Sequence, residues 1–164
     1  MSNTEGAWKA LQQVNEWIRF ADAKAGAILA GSAALGGVVL HALPPWSKHS
    51  EYSWHFWLLI SSLVVATLAI LFALRVLAPA LRAGEPRSLV YFDHVARKHP
   101  SVGNYVTALR RLLDNEDDLV DQLGHQIWAN SRVARRKFVA VGRAVRFLGL
   151  ALILAGIGAL VQGR

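Results

Sequence analysis

Apolar residues are arranged along this chain in two ways, unbroken in three stretches and periodic elsewhere. Ala25 to Leu43 and Phe56 to Leu74 each run for 19 residues without a formal charge. Phe147 to Gly163 runs for 17, and Ala144 and Val145 extend it past Arg146, whose side chain can snorkel to the surface. About 20 apolar residues in a helix cross the roughly 30 Å hydrocarbon core of a bilayer, so each stretch is predicted to span a membrane. Packing as the core of a soluble domain is the alternative, but three such helices need more amphipathic covering than the rest of the chain supplies. For the first stretch a cleaved secretory leader is a second alternative. The 24 residues before it are themselves patterned as a helix, which argues against cleavage.

In that leading segment Trp8, Leu11, Asn15, Ile18, Asp22 and Ala25 recur at spacings of 3 or 4, one stripe of a helix that runs into the first span without a proline. Asn15 and Asp22 are polar where the pattern asks for apolar side chains. They either fix register against a neighbouring helix, as polar seam residues do, or contact a ligand. Beyond the second span Pro79, Gly84 and Pro86 break the chain, Ser88 can cap a short helix from Leu89 to about Lys98, and Ser101 can cap the next. Val102, Tyr105, Val106, Leu109, Leu112 and Leu113 form an apolar stripe opposite Arg110 and Arg111. Asp114, Glu116, Asp117, Asp118 and Asp121 suit the first turn of a following helix, whose dipole favours negative charge there. From about Glu116 no proline intervenes before Val161, which predicts one helix about 70 Å long.

Charge sets the orientation. The chain has 18 Lys and Arg against 11 Asp and Glu, and 13 of the 18 lie between Arg75 and Arg146. Cationic residues near the membrane mark its cytoplasmic side. The expected order is a cytoplasmic N-terminal helix (1–24), a first span (25–43), an outer loop (44–53), a second span (54–74), a cytoplasmic helical region (75–146) and a third span (147–163), with the C-terminus outside. Trp46, Tyr52, Trp54 and Trp57 are interfacial aromatics around the outer loop. The fold class is thus an all-α membrane protein: three transmembrane helices with a small cytoplasmic helical bundle. Hydrophobic residues make up 54% of the 164, and charged ones 18%, a balance that excludes a disordered nucleic-acid-binding tail.

Candidate chemistry is sparse. No cysteine is present, which removes disulfides, thiolate zinc sites and cysteine nucleophiles. Asp93, His94 and His99 suggest a metal site or a hydrolase, but no second cluster supports them, and satisfied polar residues on a short helix are the better account. His125, four residues after Asp121, reads as a local pair, and His41, His49 and His55 as interfacial residues. Gly36-Gly37 lies inside a span and is no phosphate loop. Neither metal nor cofactor is predicted, and the chain is read as a non-enzyme. The basic stretch Arg132, Arg135, Arg136, Lys137, Arg143 and Arg146 is explained first by topology and by attraction to anionic inner-leaflet lipid, as are Arg19 and Lys24 beside Asp22. Arg132 and Arg136 share a helix face with Asn130 and Arg135 nearby, a candidate site for a phosphate-bearing ligand. No reading helix is free for a nucleic acid polymer. Gly26, Ala30 and Ala34, and likewise Ala151, Ala155 and Ala159, are small-residue stripes that let helices approach closely, so a homo-oligomer is expected.

The run Trp17-Ile18-Arg19-Phe20-Ala21-Asp22-Ala23-Lys24-Ala25 resembles the W-I-x-x-A-D-x-K-A start of the first span in the transmembrane effectors of bacterial Pycsar antiphage systems. Leu89 to Ala96 is similar to an aromatic-rich segment of that family, and Asp118-Leu119 to Gln126-Ile127, Ser131 and Lys137-Phe138 match its late cytoplasmic helix loosely. The resemblance implies an effector in the bacterial inner (cytoplasmic) membrane that senses a cyclic pyrimidine nucleotide (cUMP or cCMP) made by a partner cyclase during phage infection and then impairs that membrane. The rivals are a structural or regulatory membrane subunit and a membrane-bound hydrolase acting through Asp93, His94 and His99.

Overall fold

A computed structural model describes residues 3–43, 54–78 and 89–162, and every regular element among them is a helix: α1 (Asn3–Ala42), α2 (Trp54–Leu77), α3 (Phe92–Lys98), α4 (Val102–Leu113) and α5 (Glu116–Gln162). The outer loop with Trp46, Lys48, His49 and Tyr52, the breaks at Pro79, Gly84 and Pro86, and the cap expected at Ser88 lie outside the described residues. Helix α1 continues from the leading segment into the first span over 40 residues. Helix α5 is as long as expected, 47 residues. Its start is fixed by a residue the sequence reading passed over, Asn115, whose Oδ1 accepts from the backbone N–H groups of Asp117 and Asp118. Those are two of the N–H groups that a helix start leaves unpaired. Three of the five helices, α1, α2 and α5, are long and apolar enough to cross a membrane.

The chain divides into two compact units, Met1–Phe20 with Pro79–Arg136, and Ala21–Ala78 with Lys137–Arg164. In the latter, α2 runs antiparallel to α5: Leu59 meets Gly158, the Ser62 hydroxyl donates to the Ala151 carbonyl at 2.8 Å, and Phe72 stacks on Phe147. The α1 segment runs parallel to α5, with Asp22 against Lys137 and Gly31 against Leu148. The residues between them are small: Ala21, Ala25, Ala73 and Ala144 are fully buried with Ile28, Val76 and Val141, and Ser62, Ala66 and Ala69 are buried on α2. Lipid tails are as apolar as leucine, so spans gain by close approach of backbones rather than by burying bulk. The expected small-residue stripes divide differently. Ala151 is buried, Gly26 and Ala155 are half-buried, and Ala30, Ala34 and Ala159 are exposed. Within this chain α1 packs instead through Ala21, Ala25, Ile28 and Ser32, all buried.

In the other unit Leu11 of α1, Leu112 of α4, and Leu119 and Leu123 of α5 form the core, with Leu89, Val90 and Ile127 packed against it. Helix α3 starts at Phe92, three residues later than expected. The Leu89 N–H donates to Gln122 Oε1 and the Leu89 carbonyl accepts from the Tyr105 hydroxyl, so both backbone groups of Leu89 are held by side chains of α5 and α4 rather than by a helix ladder. Ser101 caps α4 as expected, accepting from the Asn104 N–H. The apolar stripe of α4 is less covered than its pattern suggests: Leu112 is buried, Tyr105 and Leu109 are half-buried, and Val102 and Leu113 are 79% and 54% exposed.

Candidate functional site

The two polar residues on the α1 stripe each meet a polar residue of α5. Asn130 Nδ2 donates to Asn15 Oδ1 at 2.8 Å, and Gln126 Nε2 donates to Asn130 Oδ1 at 2.8 Å. Lys137 Nζ donates to Asp22 Oδ1 at 2.5 Å. In each unit the paired residues are 115 apart, so each unit sets a polar residue of α1 opposite a polar residue of α5, as register-fixing side chains do in a coiled coil. That offset also explains why Asp22 takes Lys137 rather than Arg143 or Arg146, which lie further along α5. The Arg143 guanidinium instead sits over the Phe72 ring at 5.7 Å, and Arg146 Nε donates to the Gly142 carbonyl. Gln126 is only 4% exposed, and its Oε1 has no hydrogen-bond partner among the described residues.

Of the expected ligand contacts, Asn130 thus faces inward, held between Gln126 and Asn15. Arg132, Arg135 and Arg136 are exposed, and the Arg132 guanidinium lies 4.8 Å over the ring of Trp128, itself 62% exposed. Arg19 and Lys24 are exposed as well. Asp93 pairs with Arg97 one turn on, while His94 packs edge-on against Tyr91 and His99 against Tyr105. The structure therefore does not bring the three candidate hydrolase residues to one point. Among the described residues no group of three His, Asp or Glu side chains could hold a metal ion. His125 and Asp121 do not form the local pair expected of them; both are exposed and make no ion pair or hydrogen bond with each other among the described residues. Burial, and then the Asp93 carboxylate, push the Tyr91 phenol above its ordinary pKa.

One feature was missed by the sequence reading. A cavity of about 420 Å³ opens between α1, the Leu89–Ala96 segment and α4, walled by Trp8, Val95, Ala96, Tyr105 and Leu109 among others. Trp8, the outermost member of the α1 stripe, is 38% exposed instead of packed.

A family model described as the Pycsar effector protein domain matches residues 6–162, nearly the whole chain and parts of both compact units. The chain belongs to the Pycsar effector family. It is similar to the Pycsar effector protein PtPycTM of Propioniciclava tarda, with 29% identity over 147 residues that cover 88% of this chain and 73% of the relative. No solved structure matches it. Family membership implies an antiphage effector role at a membrane, in a family regulated by cyclic nucleotide signals. The motif that carried the resemblance lies along the polar seam: Ala21 and Ala25 are fully buried, Ile18 is half-buried, and Asp22 holds Lys137, while Trp17 and Lys24 face outward.

Proposed function

We propose that this chain is a non-enzymatic effector of the bacterial inner membrane, activated by a cyclic pyrimidine nucleotide, cUMP or cCMP, and acting by impairing that membrane. The observation that carries the reading is the family match from residue 6 to residue 162, joined to three helices of membrane-spanning length. In this reading the N-terminus and the unit containing α3 and α4 are cytoplasmic and the C-terminus is periplasmic, because Arg75 ends α2 and Arg132 to Arg146 precede the last apolar run. Second copies assemble through the small residues that α1 leaves exposed, Ala30 and Ala34. The exposed Arg132, Arg135 and Arg136 meet phosphate, and with Arg132 laid on an outward tryptophan and Asn130 turned inward, headgroup phosphate of the inner leaflet suits them better than a closed ligand site.

Expression with a partner cyclase and its phage trigger is expected to depolarise the inner membrane before nucleotide pools fall. Cells that die with an intact potential and depleted nucleotides would favour the hydrolase instead. Fusions at the C-terminus are expected to be active for a periplasmic phosphatase and dark for a fluorescent protein that matures only in the cytoplasm; the reverse pattern would overturn the topology.

A further inference from the structure

We propose that the cavity between α1, the Leu89–Ala96 segment and α4 is the site that receives the base of the activating nucleotide, a proposal that rests on the cyclic-nucleotide reading above. Its volume of about 420 Å³ lies within the roughly 300–1,000 Å³ of small-molecule pockets, which are mostly apolar and aromatic with a few polar groups at the edge. Trp8 and Tyr105 supply two aromatic walls, and every base has a π-face that stacks on such side chains. Val95, Ala96 and Leu109 supply the apolar remainder.

A nucleotide also needs its phosphate met, and a cation stands beside the lining. Lys98, in the last turn of α3 beside Arg97, lies three residues after the lining residue Val95 and so on the same side of that helix. Arg97 is engaged with Asp93. Lys98 is exposed and makes no ion pair among the described residues, so it is open to a phosphate. The site also has a mechanical consequence. Its walls come from α1 and from the α3–α4 segment, which share the core of Leu11, Leu112, Leu119 and Leu123 with α5, so a base wedged there bears on two of the helices that continue into the spans.

Binding of cyclic UMP and cyclic CMP to the full-length chain in lipid nanodiscs, followed by calorimetry, tests this. Ala96→Phe fills the cavity and Trp8→Ala removes a wall; each is expected to weaken binding by roughly tenfold or more, the scale of losing an aromatic stacking partner, with helix content and melting temperature unchanged. Should Ala96→Phe fail to fold, Leu109→Trp fills the same space from α4. The combined Arg135→Gln and Arg136→Gln variant is expected to bind as the parent does. A parent chain that binds neither nucleotide overturns the functional reading, and the site with it. A parent that binds while folded, cavity-filled variants bind equally well overturns the site alone; loss of binding in the arginine variant would then assign the nucleotide to the basic face.

Discussion

Asp22→Lys is expected to strip the chain from the membrane fraction and lower its melting temperature in detergent, and adding Lys137→Glu is expected to restore most of both. The reasoning starts from exposure. The Lys137 side chain is 12% exposed and that of Asp22 36%, so the ammonium has little access to water and depends on the carboxylate. Breaking a fully buried ion pair by removing one member costs about 3–5 kcal/mol. With one partner this exposed, about 1–3 kcal/mol is the reasonable scale here, and two ammonium groups side by side add repulsion. A charge swap reverses both signs and keeps the pairing, so the double variant isolates the interaction. If single and double variants lose equal stability, the pair contributes nothing and the two side chains only neighbour each other. The milder Asp22→Asn keeps the shape and one hydrogen bond. It is expected to accumulate as the parent does but to kill less on activation, since the charge pairing between α1 and α5 is then gone. Normal accumulation with undiminished killing would confine Asp22 to a structural role.

Gly158→Leu is expected to unfold the packing of α2 on α5, whereas Ala30→Leu is expected to leave the melting temperature untouched. A Cβ at Gly158 would lie 3.0 Å from Leu59 Cδ2, 3.3 Å from Leu59 Cγ and 3.6 Å from Leu58 Cβ. Leu59 is itself 2% exposed, so room for a leucine at 158 comes from displacing a buried side chain and parting the helices. Overpacking of this kind costs about 1–3 kcal/mol or more. The loss should extend to the Ser62 to Ala151 hydrogen bond, one turn away along α2 and about two along α5. Ala30 is exposed, so its enlargement is expected to leave the packed faces of the described helices as they are. If second copies pack on that face, Ala30→Leu lowers the particle mass in detergent while the fold persists; an unchanged mass shows that copies do not meet through α1. A Gly158→Leu protein that melts with the parent would mean that α2 and α5 are not packed as described.

What was legible in the sequence follows from local physics. Nineteen residues without charge announce a span because desolvating even one charge is costly in lipid, and the 3–4 spacing of Leu11, Asn15, Ile18 and Asp22 announces a helix face because side-chain direction repeats every 3.6 residues. Ser101 was legible as a cap for the same reason, since its hydroxyl serves an N–H three residues away.

The tertiary structure decided everything that depends on which faces meet. Asn15 and Asp22 were visibly out of place on an apolar stripe, but six cations precede or open the last span, and only the parallel pairing at an offset of 115 residues selects Lys137 for Asp22 and Asn130 for Asn15. Leu89 carries helical promise in its sequence and loses it to Gln122 and Tyr105, partners 33 and 16 residues away. The small-residue stripes were legible as stripes, while their division into a buried Ala151 and exposed Ala30, Ala34 and Ala159 was not, because any small residue permits close approach and none specifies the neighbour. The cavity beside Trp8 is the furthest from the sequence: it is space left where three segments fail to fill one another, and a one-dimensional pattern records side chains but not the gaps between them.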